Sequence, residues 1–171
     1  MATGGFGPGT TPTTPNNNQA LLQRLRAEQV VKSGAGWFIW IAGLSLVNSL
    51  VTLFGGGFHF IVGLGITQVV DALAHRAGST GIVLDLVING LVAGIFVLFW
   101  HFGRQGQRWA FIVGMVFYTL DGLLLLMFQD YLSVAFHAYA LFMLYRGMAG
   151  ISQLEQTSQA TMLAGASIDP K

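Results

Sequence analysis

The feature that most constrains this chain is a series of long runs nearly free of charge. Residues 33–54, 81–102 and 109–128 are each dominated by apolar side chains. A hydrocarbon core of about 30 Å is crossed by about 20 helical residues rising 1.5 Å each. Lipid offers no partners for backbone N–H and C=O groups, so a run of this kind must close its hydrogen bonds within a helix. The composition agrees: only 9% of residues are charged, 53% are hydrophobic and the mean hydropathy is +0.62. An average soluble domain carries about 25% charged residues. The fold class predicted is all-α. We expect a polytopic membrane protein, a compact antiparallel bundle of four transmembrane helices plus one short amphipathic or re-entrant helix. Five transmembrane helices are the alternative.

Residues 1–18 are Gly, Thr, Pro and Asn almost throughout and read as a flexible tail. From 19 to 32, Leu21, Leu22, Leu25 and Val30 alternate with Arg24, Arg26 and Glu28 at helical spacing. This stretch is expected to be an amphipathic lead-in near the headgroups. The apolar bundle then occupies 33–151, and a polar, fraying tail is expected over 152–171. Because the first apolar run starts near Ser33, an uncleaved span is expected there in place of a signal peptide. Trp37 and Trp40 suit an interfacial belt at its start. The last span, from 131, is shorter in apolar content but extends to Ile151.

Residues 58–76 are ambiguous, being short and carrying Gln68, Asp71 and His75. The charge rule separates the two topologies, because basic residues at span ends prefer the cytoplasm. If 58–76 does not cross, Arg24, Arg26, Lys32, Arg104, Arg108 and Arg146 share one side and Arg76 stands alone on the other. If it crosses, Arg104, Arg108 and Arg146 move opposite Arg24, Arg26, Lys32 and Arg76. The first arrangement obeys the rule better. It puts both termini in the cytoplasm and residues 58–76 outside.

Polar groups inside spans demand a reason, since lipid penalises them. Asn48, Asp85, Asp121 and His137 all fall in the outer half of the four-span arrangement, and Asp71 and His75 approach the same level. Asp121 lies about 10 Å and His137 about 9 Å from the outer ends of their spans. The two-residue connection at Gln129 and Asp130 makes those spans antiparallel neighbours, so Asp121 and His137 are predicted to pair. Six such groups have the nitrogen and oxygen donors for a divalent cation or a proton relay. The plainer reading is that they satisfy one another, with Asn48 as interhelical glue. Gly90 and Gly94 form a small-xxx-small face, predicted to meet a neighbouring helix in the bundle or in a partner subunit.

Several classes are excluded. There are no cysteines, so thiolate catalysis and disulfides are out. Gly-x-Ser-x-Gly and His-Glu-x-x-His are absent. A net charge of +1 with scattered basic residues gives no nucleic-acid footprint. No cofactor is expected; a divalent metal is the alternative, and haem or pigment on His101 or His137 a more remote one. The arrangement resembles small bacterial inner-membrane proteins as a class. The expected partners are the lipid bilayer and either a second copy or a larger membrane complex. The expected role is a non-catalytic scaffold or accessory subunit, with ion, proton or metal transport or binding, or a metal-site membrane enzyme, as alternatives.

Overall fold

The computed structural model describes residues 17–53, 64–66, 69–70 and 79–166. Four helices hold nearly all of them: α1 Asn17–Leu53, α2 Ser79–Arg104, α3 Arg108–Met127 and α4 Tyr131–Ala166. Each is long and apolar enough to cross a membrane. α1 packs on α2 and α4, and α3 closes the square against the same two, leaving α1 and α3 diagonal. Direction alternates along the chain. Ser49 of α1 meets Asn89 of α2, while Ala35 meets Gly103. The protein is a hydrophobic four-helix membrane-spanning bundle. Most of residues 58–76, and with it the question whether that segment crosses, lies outside the described residues.

The buried positions advance in alternating steps of four and three. On α1 this seam runs through Ala27, Val31, Gly34, Phe38, Ile41, Ser45 and Asn48, flanked by the buried Ala35, Ala42 and Ser49; on α4 it runs through Ser133, His137, Ala140, Leu144, Gly147 and Ile151, flanked by Gly150. On α3 the same rhythm runs through Phe111, Gly114, Tyr118, Asp121 and Leu125. A repeat averaging 3.5 residues keeps one seam facing its neighbour along a left-handed bundle. The seam collects small and polar residues alongside large ones such as Phe38, Phe111, Tyr118 and Leu144. The outward positions, among them Val87, Leu91, Val116, Leu120, Leu132 and Phe142, are large and apolar. Lipid is as apolar as leucine, so burial is selected by close packing and hydrogen bonding. Gly34 and Gly147 show this most clearly. A Cβ on Gly34 would fall 2.3 Å from the Gly147 Cα, so only glycine permits this helix approach.

The connections are tight. After α2, Gly106 adopts a φ of 77°, and the N–H groups of Gly106 and Gln107 return to the carbonyls of Gly103 and Phe102. This is a Schellman termination. After α3 the same motif recurs with Gln129 at φ 59°. A residue with a Cβ pays about 1–2 kcal/mol for that region. The next residue, Asp130, starts α4 by accepting the Ser133 N–H at 3.2 Å and the Ser133 hydroxyl at 2.5 Å. An N-cap of this kind contributes about 1 kcal/mol.

The stretch 19–32 is helical and runs without a break into the first span as one α1. One expectation changes: the tail from Ser152 does not fray at once, because α4 runs on to Ala166. The reason is mutual. α1 and α4 are 37 and 36 residues long, far beyond one bilayer crossing. Each extension would be marginal alone, but together they bury Ala27, Val31 and Ile151 against one another. Gly150 sits within 3.3 Å of Val30, Val31 and Ala27 by its would-be Cβ. Arg108 fastens the base of this two-helix stalk, donating to Glu155 at 2.5 Å and Ser152 at 3.2 Å.

Candidate functional site

Asp121 and His137 meet across α3 and α4. The imidazole Nε2 lies 2.9 Å from Asp121 Oδ2, and both side chains are buried. Position in sequence explains the depth match, because the short α3–α4 connection sets both residues about two turns from the same helix end. The seam rhythm explains the azimuth, since both occupy inward positions.

Each atom of the pair is further constrained. The Nδ1 of His137 lies 2.8 Å from the Ser133 carbonyl oxygen, which can only accept, so Nδ1 carries a proton. The Nε2–Oδ2 contact then needs one proton, residing either on the imidazole or on the carboxyl group. Tyr118 stacks on the ring, with centroids 4.1 Å apart and planes 15° from parallel. Gly122 leaves room for the ring, its would-be Cβ lying 3.3 Å from His137 side-chain atoms.

Asp121 has two more donors, both from the polypeptide backbone. The Gly65 N–H reaches Oδ2 at 2.8 Å and the Ile66 N–H reaches Oδ1 at 2.8 Å. Three of the roughly four acceptor positions of a carboxylate are therefore filled by protein. Leu64 is buried, and Gly65 approaches so closely that a Cβ there would lie 2.9 Å from the Leu125 side chain. Asp121 thus pins the chain at 64–66 into the bundle, about 9 Å in from the end of α3.

The other candidates are placed as follows. Asn48 is buried on α1. Phe38 of α1 packs at Gly114 of α3, which puts Asn48 within about one turn of the Asp121 level. Asp85 belongs to α2, and only its backbone is described. Asp71 and His75 lie outside the described residues. His101, at the far end of α2, contacts Gln105 at 2.9 Å and is remote from the pair. Among the described residues, no three of His, Cys, Asp or Glu converge as a metal set would.

Gly90 and Gly94 face no other helix among the described residues, where a Cβ on either would meet nothing within 4 Å. Glycines that pack against a neighbouring segment are Gly34, Gly65, Gly103, Gly114, Gly122, Gly147 and Gly150. Both of the former lie on the outward face of α2.

Some polar contacts escaped the sequence reading. Asn89 donates to the Ser49 hydroxyl at 2.8 Å, a buried link between α2 and α1. Its signal was available, since an Asn inside a span seeks a partner for the reason given for Asn48. The Tyr118 stack on His137 had no such signal, because packing decides which face of α3 is buried. The Gly65 and Ile66 donors had no signal, because backbone N–H groups are common to all sequences. Comparison with known proteins adds no relative: no family model, curated protein or solved structure matches the chain.

Proposed function

We propose that this chain is a non-catalytic membrane component, a scaffold or accessory subunit of a homo- or hetero-oligomeric complex. The observation that carries this reading is the way Asp121 is used. Its carboxylate is engaged by two backbone N–H groups and by His137, whose other nitrogen is held by Ser133. A transported or catalytic cation needs ligand positions that protein has not already filled. The outward Gly90 and Gly94 supply a surface where a second copy's backbone can come close. The six basic residues gathered at one end support a cytoplasmic placement of both termini in a bacterial inner membrane, with 58–76 facing out.

The direct test is purified protein titrated with zinc, manganese or magnesium while unfolding is followed. No shift in the transition is expected for the wild type or for Asp121→Asn. A metal-dependent stabilisation that Asp121→Asn abolishes would replace this reading with ion binding. Orientation is checked with single cysteines against a cysteine-free background. In intact cells an impermeant reagent should label position 79 and spare position 105; the reverse pattern overturns the topology.

A second reading has one specific support. The single proton in the Nε2–Oδ2 bond can sit on either residue, the elementary requirement of a proton-handling site. It predicts a proton flux across proteoliposomes that Asp121→Asn removes, and no such flux is expected of the scaffold.

A further inference from the structure

Six cations lie at one end of the bundle: Arg24, Arg26, Lys32, Arg104, Arg108 and Arg146. Among the described residues only Glu28 and Glu155 oppose them. Glu28 is shared by Arg24 at 3.4 Å and Lys32 at 3.8 Å, and Glu155 is taken by Arg108 at 2.5 Å. That leaves Arg26, Arg104 and Arg146 with no carboxylate among the described residues. Arg104 lies over the Trp100 ring, 4.9 Å from its centroid. Arg26 and Arg146, from different helices, line one open groove of about 430 Å³ between α1 and α4.

The sequence creates the groove. Its floor is the Gly34–Gly147 contact, where neither helix has a side chain to fill the crossing. Gln29 and Ser33 add polar groups to the rim, while Val30 and Met143 provide an apolar wall. Its depth is set by neighbouring contacts. Ala35 meets Gly103 in the last turn of α2, so the floor is level with the basic end of the spans. Arg26 stands about 12 Å above Gly34, and Arg146 directly beside the floor. The headgroup layer, about 5–8 Å thick on each face, lies between those levels. Both side chains are long enough to direct their guanidinium groups into it.

We propose that this groove binds the headgroup of an anionic phospholipid. The two forks grip its phosphate beside Val30, and an acyl chain descends past the floor along Met143. A guanidinium matches phosphate with paired N–H donors, which a point charge does not. Basic pockets between spans at a charged membrane face are suited to such headgroups. A zwitterionic lipid has the same phosphate, but its cationic end would be repelled by a bundle end whose basic residues outnumber its carboxylates. The proposal is independent of the role assigned to Asp121.

Native mass spectrometry of the purified protein, with phosphatidylglycerol or phosphatidylcholine added to the detergent, tests it. Retained phosphatidylglycerol should exceed phosphatidylcholine. Arg26→Gln and Arg146→Gln should each weaken retention about fivefold, the effect of about one surface cation. Arg104→Gln removes the same charge away from the groove and should leave retention near wild type. All three side chains are exposed, so the variants should unfold like wild type in lipid-free detergent. Equal loss from Arg104→Gln would mean diffuse attraction, and equal retention of phosphatidylcholine would mean no headgroup selection; either overturns the proposal. Inorganic phosphate that displaces phosphatidylglycerol at comparable concentration would assign the groove to a soluble anion and overturn the lipid.

Discussion

Substituting Asp121 tests whether one carboxylate both pairs with His137 and holds the chain at 64–66. In Asp121→Asn, the new NH₂ must replace either Oδ1 or Oδ2. At Oδ1 it would face the Ile66 N–H, and at Oδ2 the Gly65 N–H, each now 2.8 Å away. In either orientation one buried backbone donor loses its acceptor, a penalty of about 1–3 kcal/mol. Asp121→Ala strands both donors and should cost about 2–6 kcal/mol by the same rule. His137→Gln loses the link to Asp121 and the stack on Tyr118, the latter worth about 0.5–1.5 kcal/mol. Interhelical hydrogen bonds in bilayers average about 0.6 kcal/mol and reach about 1.7. The coupling in a cycle of Asp121→Asn, His137→Gln and the double variant should therefore fall near 0.5–2 kcal/mol, the double costing less than the sum. Equilibrium unfolding in mixed micelles of increasing denaturing-detergent fraction measures all four proteins. Additivity within about 0.3 kcal/mol would refute the pair. If Asp121→Ala costs no more than Asp121→Asn, the carboxylate does not hold Gly65 and Ile66.

Two further perturbations test the packing. Gly34→Ala should destabilise by about 1–3 kcal/mol, because its Cβ would stand 2.3 Å from the Gly147 Cα, a backbone atom that yields only if α1 and α4 separate. Gly36→Ala, two residues on and with open space around it, serves as control and should be neutral or gain about 0.5–1 kcal/mol in thermal unfolding. Gly90→Leu and Gly94→Leu should leave the monomer's unfolding unchanged or stabilised by about 0.5–1 kcal/mol, as for any open helical glycine. They should also reduce cross-linked oligomer in membranes, and undiminished cross-linking would show that this face is not the contact.

Much of the architecture was legible without coordinates. The charge-poor runs dictate spanning helices, since lipid leaves the backbone no other way to satisfy its hydrogen bonds. The brief connections at Gly103 to Gln107 and at Gln129 and Asp130 make neighbours antiparallel. Chain counting along α3 and α4 then brings Asp121 and His137 to one depth. Those are local properties: length, hydropathy and rise per residue.

What only the tertiary structure decided concerns faces and partners. In a bilayer both sides of a helix are apolar, so hydropathy does not reveal which side is buried. That is why Gly90 and Gly94 read as a packing face, while Gly34 and Gly147, equally plain in sequence, bring two helix backbones together. The polar stretches 19–32 and 152–166 likewise owe their shared helical stalk to each other, a contact between residues more than a hundred positions apart. Asp121's remaining partners are backbone N–H groups, which every residue but proline carries. Identity cannot mark them, and folding alone brings Gly65 and Ile66 to that carboxylate.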